Sequence, residues 1–152
     1  MLRIAKHPLL LTMEAPKHCH YCGDWYDCRD HVIPVSYTHI RRAFKGCKTV
    51  PACTMCNSLL SSFLFASMEE RSAYLFDKYQ SRYRRVLKLP VWTEQEVSEL
   101  DYGMRSVVEG QQHAKRIVMA KLANLALTSE GEEPVSIPAM ASHAEAMRVL
   151  KG

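Results

Sequence analysis

The stretch HCHYCGDWYDCRDHVIP, residues 18–34, carries the strongest structural signal in this chain, because it sets two cysteines three positions apart ahead of an Asp-His pair. Cys19 and Cys22 form one C-x-x-C turn, and Cys53 and Cys56 form a second. Zinc takes four tetrahedral ligands, and two turns of this spacing can each present two sulfurs to one ion. The sequence therefore predicts a structural zinc held by all four cysteines.

The predicted zinc ion would be structural and not catalytic. An ion with four protein ligands has no open position for water, so it would hold the fold together and leave any reaction to other residues. A thioredoxin-type redox pair and buried free thiols are the alternatives, but neither explains two matched pairs. Cys28 and Cys47 are left over and are expected to be small buried residues. His18 and His20, which flank Cys19, are further candidate ligands.

The composition is that of an ordinary globular protein. The 152 residues are 47% hydrophobic and 24% charged, and the net charge of +4 mildly favours a polyanionic partner. No apolar run reaches the roughly 18 residues that a membrane span needs. The paired cysteines, in a chain without a recognisable export signal, point to reduced thiolates. We therefore expect no membrane association and a location in the cytoplasm.

Two capping boxes mark helices after the cysteine-rich section. Ser67 with Glu70 begins a helix whose apolar residues recur at helical spacing, and Pro90 closes that pattern. Thr93 with Glu96 begins another helix. The cysteine-rich section itself has few periodic apolar residues, so it needs a metal to order it.

The second helical pattern is long and contains two glycines. Gly103 and Gly110 lie inside it, so we expect a bend or a break. Its apolar faces could fold back on the small zinc core, or they could pair two copies as a homodimer through the C-terminal helices. The predicted stripe consists of Val97, Leu100, Met104, Val107 and Val108, and the same pattern could continue through Ile117, Val118, Leu122 and Leu125.

The chain is expected to divide into five segments. They are an N-terminal lead-in over residues 1–17, a zinc-bound core over 18–66, a helical region over 67–127, a linker over 128–138 and a short C-terminal helix over 139–152.

The motifs follow one another in the order C-x-x-C, D-H-x-x-P and C-x-x-C-N, which brings in Asp30, His31 and Asn57. This layout resembles the HNH nucleases, the ββα-metal or His-Me finger group, in the subgroup with a four-cysteine zinc. It is similar in particular to the phage recombination endonuclease VII type, so the cytoplasm would be that of a host cell if a phage encodes the chain. The resemblance covers about residues 18–65 and implies a small zinc-bound ββα-metal core. Together with the helical patterns that follow it, we expect an α+β fold, mostly helical, in which this core precedes a helical C-terminal region.

Phosphodiester hydrolysis gives these three residues separate roles. It needs a base, and a neutral imidazole with an ordinary pKa of about 6.5 suits that role, so His31 is the candidate. A hard ion such as Mg²⁺ or Mn²⁺ prefers oxygen ligands, which Asp30 and the Asn57 amide can supply. In the alternative interpretation, Asp30 and His31 form a polar pair beside the zinc, and Asn57 caps a helix.

The sequence departs from the family at one place. Many HNH nucleases have a further His, Asn or Lys after the asparagine, whereas this chain continues as NSLLSSFLF. Ser61 or Ser62 could contact a phosphate instead.

Basic residues cluster in two runs that suit contacts with nucleic-acid phosphates. We therefore expect a metal-dependent DNA endonuclease acting on double-stranded or branched DNA. The alternative is a noncatalytic zinc-stabilised module that binds nucleic acid or a protein. The candidate DNA-binding residues are Arg41, Arg42, Lys45, Lys48, Lys78, Arg82 and Arg85.

Overall fold

The structure, a computed structural model, describes residues 18–43 and 48–137. The predicted segments 1–17 and 139–152 lie outside these ranges, as do Lys45 and Cys47. The α+β, mostly helical fold class is confirmed. In chain order the elements are β1 (Cys28–His31), α1 (Thr38–Ala43), β2 (Thr49–Ala52), α2 (Thr54–Leu60), α3 (Met68–Arg82), α4 (Arg84–Leu87), α5 (Glu94–Ser98) and α6 (Tyr102–Ser129).

The two strands form an antiparallel sheet, and α2 follows β2 directly. Cys28 pairs with Ala52 and His31 pairs with Thr49, so His31 lies at the end of the sheet. Asp27, just before β1, accepts hydrogen bonds from the backbone N–H of Thr54 at 2.8 Å and from its hydroxyl at 2.6 Å. This anchor fixes the beginning of α2 against the beginning of β1.

Helix α3 begins where its capping residues predict. The Ser67 hydroxyl accepts the Glu70 N–H at 3.1 Å, and the Glu70 carboxylate accepts the Ala66 N–H at 2.9 Å. The helix does not run unbroken to the proline, because Tyr83 interrupts it and α4 follows. Of the candidate DNA-binding residues, Lys78 and Arg82 therefore lie on α3, whereas Arg85 lies on the separate short helix α4.

The Thr93–Glu96 capping box is confirmed, but the helix that it begins is short. Its hydrogen bonds are reciprocal: the Glu96 carboxylate accepts the Thr93 N–H at 2.7 Å, and the Thr93 hydroxyl accepts the Glu96 N–H at 3.2 Å. Helix α5 then ends at Ser98. A single satisfied cap is enough to begin a helix, whereas extending it requires packing.

The predicted break is real, but it does not lie at either glycine. Asp101 caps a new helix by accepting the Met104 N–H at 3.0 Å, and α6 continues through Gly103 and Gly110. Each glycine costs a helix about 1 kcal/mol relative to alanine. Packing of the later turns of α6 against α3 offsets that cost.

One core joins the cysteine turns to the long helices. Leu75 of α3 and Val118, Leu122 and Leu125 of α6 are buried in the same cluster as the paired cysteines. The predicted apolar stripe was wrong in its first half, because Met104 and Val107 are about half exposed; of its first five residues, Val108 alone is buried. In its second half the stripe does contribute to the core, where Val118, Leu122 and Leu125 are buried.

The segment after α6 packs back on the first cysteine turn. Helix α6 runs to Ser129, so the linker predicted from residue 128 begins slightly later. The Ile137 N–H donates to the Gly23 carbonyl at 2.9 Å, and the Val135 N–H donates to Asn124 Oδ1 at 2.7 Å. Gly23 has φ +75°, and a Cβ there would lie 2.2 Å from Asn124 Nδ2. Only glycine fits this crossing.

Helix α6 has 28 residues, which is longer than the roughly 20 that cross a bilayer. Charged residues recur along it, among them Arg105, Lys115 and Lys121. Within the described ranges, no helix combines the length and the apolarity that a membrane span requires.

Candidate zinc centre and active-site pocket

The four paired cysteines meet in one buried cluster. Their sulfur atoms lie within 4.8 Å of one another, and the Sγ atoms of Cys22 and Cys53 are 3.7 Å apart. Four sulfurs at about 2.3 Å from a tetrahedral zinc ion are about 3.8 Å apart, so the cluster can hold zinc. Hydrogen bonds from Cys19 and its neighbours lower the pKa of Cys53 and raise that of Cys56. Four crowded thiols cannot all ionise without a cation.

Local backbone hydrogen bonds shape both cysteine turns. In the first, the Cys19 N–H donates to the Asp24 carbonyl at 2.6 Å, and the Gly23 N–H donates to the Cys19 carbonyl at 3.0 Å. In the second, Cys53 caps α2, and its sulfur accepts the Cys56 N–H at 3.4 Å. Amide donors at a helix N-terminus favour a thiolate over a thiol.

Tyr79 of α3 contacts this cluster, which the sequence did not indicate. Its hydroxyl is 3.3 Å from the Cys56 sulfur and 4.0 Å from the Cys53 sulfur. Burial raises the pKa of Tyr79, and the neighbouring charge of Cys56 adds to that effect, so the hydroxyl keeps its proton. Local spacing could not indicate this contact, because the cysteines that Tyr79 meets lie 23 and 26 positions away in the chain.

The further candidate ligands His18 and His20 and the leftover Cys28 lie outside the cluster. Cys28 was expected to be buried but is only partly so, and its thiol donates to the Ala52 carbonyl at 3.1 Å. His18 pairs with Trp25 through an isolated backbone bridge, and burial lowers the pKa of His20. Among the described residues, the paired cysteines form the only such cluster of metal-binding side chains.

Asp30, His31 and Asn57 line one open pocket. Asp30 and His31 can both reach it because β1 ends at His31, and Asn57 enters from the middle of α2. The pocket volume of about 370 Å³ leaves room for a phosphate group and several waters. The lining residues are Asp30, His31, Pro34, Val35, Ser36, Asn57, Ser61 and Ser62.

Asp30 lies at the base of the pocket and is already ion-paired. It is 3% exposed, and its Oδ2 atom accepts a hydrogen bond from the Tyr21 hydroxyl at 2.5 Å and pairs with the Arg71 guanidinium. Arg71 also donates to the Tyr21 hydroxyl at 3.0 Å and to the Val32 carbonyl at 3.1 Å, and it stacks over the Phe65 ring. Burial raises the pKa of Tyr21, and its hydrogen bond to Asp30 raises it further.

This network changes what Asp30 offers to a metal. Among the described residues, both hydrogen-bond donors to its carboxylate contact Oδ2, so Oδ1 is the oxygen available to the pocket. The Asn57 amide oxygen is a second possible metal ligand in the same pocket, and it is uncharged. Oxygen donors of these types suit Mg²⁺ or Mn²⁺. The residues therefore fit a hard divalent ion, although with a single carboxylate oxygen.

The sequence did not point to Arg71 or Tyr21. One signal could have identified Arg71, because it lies four and eight residues before Leu75 and Tyr79 and so shares their buried helix face. A charged residue in an apolar register needs a buried partner. The partner lies 41 residues away, however, and local patterns do not reveal it.

The candidate DNA-binding residues are spread over several elements. The Lys78 ammonium lies 5.2 Å from the centre of the Tyr74 ring, so it is partly held in place. Arg41 belongs to α1, but its side chain lies outside the part of the chain that the structure describes. The exposed members are Arg42, Lys48, Lys78, Arg82 and Arg85.

Comparison with protein-family models, with curated proteins and with solved structures gave no match to this chain. The resemblance to the HNH nucleases therefore rests on the order of the motifs, and nuclease activity stays a prediction.

Proposed function

We propose that this protein is a metal-dependent endonuclease that hydrolyses phosphodiester bonds in DNA, with His31 as general base. The observation that carries the proposal is the meeting of Asp30, His31 and Asn57 in one pocket, although 26 positions separate His31 from Asn57. We further propose that the cysteine cluster binds structural zinc. The cluster packs with residues of β1, β2 and α2, and β1 and α2 are the elements that carry Asp30, His31 and Asn57.

His31 has the position that a general base requires. It is partly exposed at the end of β1 and lines the open pocket, so solvent water can reach its imidazole. A neutral imidazole can take a proton from an attacking water at neutral pH.

Asp30 Oδ1 and the Asn57 amide oxygen would hold the catalytic ion. When bound, Mg²⁺ or Mn²⁺ supplies positive charge beside the scissile phosphate. Ser61 and Ser62 line the same pocket, and their hydroxyls can donate to phosphate oxygens. They occupy the part of the chain where many family members have a further polar residue.

The exposed basic residues would hold the DNA backbone. Lysine and arginine contacts to phosphates supply affinity without reading sequence. Lys48 immediately precedes β2, whose first residue, Thr49, pairs with His31, so it lies near the end of the sheet that carries the candidate base.

A cleavage assay tests the proposal. Supercoiled, linear and branched DNA are incubated with Mg²⁺ or Mn²⁺ and with wild-type protein, His31→Ala or His113→Ala. His113 is an exposed histidine on α6 and serves as the matched control. We expect His31→Ala to lose at least about 100-fold in rate and the control to lose nothing. Cleavage at the same rate by all three proteins would reject the proposal.

One observation favours a noncatalytic module as the second candidate. Asp30, the expected metal ligand, is paired with Arg71, and this pairing weakens the carboxylate as a ligand. A binding module would shift DNA in a gel and leave every substrate uncut with either metal.

A further inference from the structure

We propose that Arg71 is a positioning residue for Asp30, and that it makes the divalent ion bind together with the DNA phosphate and not before it. This inference rests on the proposed function and concerns the same pocket.

The geometry of Arg71 restricts the Asp30 carboxylate to one orientation. The guanidinium is held at three points: Asp30 Oδ2, the Tyr21 hydroxyl and the Val32 carbonyl. Arg71 is 1% exposed, so no solvent competes for these contacts. Tyr21 donates to the same carboxylate oxygen, and a carboxylate with two donors on one oxygen cannot rotate freely. Oδ1, which neither donor contacts, is therefore the carboxylate oxygen left for the pocket.

The same contact neutralises the pocket. Arg71 cancels the charge of Asp30, and no other carboxylate is found among the described residues that line the pocket. The remaining polar groups are an imidazole, an amide and hydroxyls. Binding sites for hard cations ordinarily contain carboxylates whose charge attracts the ion. In this pocket the lining residues carry no net negative charge, and the Arg71 cation lies behind Asp30. Binding of the divalent ion to the protein without DNA is therefore weak.

A DNA phosphate supplies what the wall lacks. The phosphodiester brings one negative charge and oxygen ligands to the mouth of the pocket. When the ion is present, its positive charge attracts the phosphodiester in turn. Because coupling between two binding sites is reciprocal, the ion must strengthen phosphate binding by the same factor by which the phosphate strengthens ion binding. Arg71 thereby links loading of the ion to the presence of substrate.

Mn²⁺ binding measures this coupling without turnover. Free Mn²⁺ is followed by electron paramagnetic resonance in titrations of zinc-loaded, full-length His31→Ala protein with and without duplex DNA. A matched titration of His31→Ala/Asp30→Asn protein with the same DNA corrects for Mn²⁺ that DNA binds by itself. We expect Mn²⁺ to bind at least about tenfold more tightly when DNA is present. Equal affinity with and without DNA would overturn the inference.

Two substitutions separate charge from orientation. Arg71→Met removes the cation, so we expect Mn²⁺ to bind the DNA-free protein at least about tenfold more tightly and the DNA dependence to shrink. Arg71→Lys keeps the charge and loses the three-point anchor, so Mn²⁺ affinity without DNA should stay at the wild-type level. Cleavage should fall when the same substitution is made in protein that retains His31. If both variants leave Mn²⁺ affinity unchanged and only melt earlier, Arg71 is merely structural and the inference fails.

The outcomes also separate this inference from the proposed function. Tight Mn²⁺ binding without DNA, together with cleavage that depends on His31, would reject the inference and keep the nuclease. If Mn²⁺ binds neither in the presence nor in the absence of DNA and nothing is cut, both fail. Should Arg71→Met not fold, the comparison of titrations with and without DNA still decides.

Discussion

Asp30 of β1 and Arg71 of α3 form an almost completely buried ion pair that joins the candidate active site to the helical part of the protein. Two charges taken out of water interact strongly, and removal of one leaves the other unpaired in a poorly solvated site. The pair therefore makes the pocket and the fold dependent on each other.

Removal of Arg71 should destabilise the protein strongly. We expect Arg71→Ala to lower the free energy of unfolding by about 3–5 kcal/mol, because it leaves the Asp30 carboxylate buried without its cation. Urea denaturation measures the change. Lys78→Ala, on the exposed face of the same helix, is the control and should cost less than about 1 kcal/mol. Similar losses for both variants would show that the ion pair adds nothing beyond helix propensity.

Loss of the Tyr79 hydroxyl should weaken zinc retention. The hydroxyl lies 3.3 Å from the Cys56 sulfur, and hydrogen bonds to metal ligands typically contribute about 10- to 100-fold in metal affinity. We expect Tyr79→Phe to release zinc to a chromophoric chelator at least about tenfold more readily. Tyr83→Phe, one turn later on the chain, is the matched control and should behave as wild type. Unchanged zinc release in Tyr79→Phe would exclude this contact as a source of affinity.

The cysteines and the candidate base should have separable roles. We expect Cys53→Ser to lose both zinc and cooperative unfolding, because the cluster is part of the main core. His31→Ala should keep both, since His31 lies at the pocket and is only partly buried. Metal analysis together with thermal melting followed by circular dichroism measures the difference. Equal destabilisation by the two substitutions would contradict this division.

Stability should decline in alkaline solution through Tyr21. Burial and the hydrogen bond to Asp30 raise its pKa, whereas in the unfolded chain a tyrosine ionises at about pH 10. Below that pH both states keep the proton, and above it only the unfolded state loses it, so folding stability falls as pH rises past about 10. Urea midpoints between about pH 8 and 11 measure the slope. Tyr21→Phe should make the slope shallower and leave the part that buried Tyr79 contributes, whereas Tyr102→Phe, at an exposed tyrosine, should not change it.

The parts of the fold that depend on neighbouring residues could be predicted from the sequence. The paired cysteines and the caps at Ser67 and Thr93 involve residues three positions apart, so their spacing alone identifies them. The structure agrees with the sequence at each of these positions.

The parts that depend on distant residues could not be predicted. The Asp30–Arg71 pair, the Tyr79 contact with sulfur and the return of Ile137 to Gly23 each join segments far apart in the chain. The bend or break expected at Gly103 and Gly110 is absent for the same reason, because the packing that keeps α6 continuous involves residues from distant parts of the chain. For the pocket this means that Asp30, His31 and Asn57 could be identified from the motif, whereas the Arg71 cation behind Asp30 could not.

The decisive measurement is chemical rescue of the proposed general base. His31→Gly protein is assayed on supercoiled DNA with Mg²⁺ or Mn²⁺, with and without added imidazole, beside His113→Gly. We expect wild type and His113→Gly to cut, His31→Gly to be nearly inactive, and imidazole to restore cleavage to His31→Gly. Undiminished cutting by His31→Gly, or no cutting by wild type with either metal, would show that the protein is not a nuclease with His31 as its base.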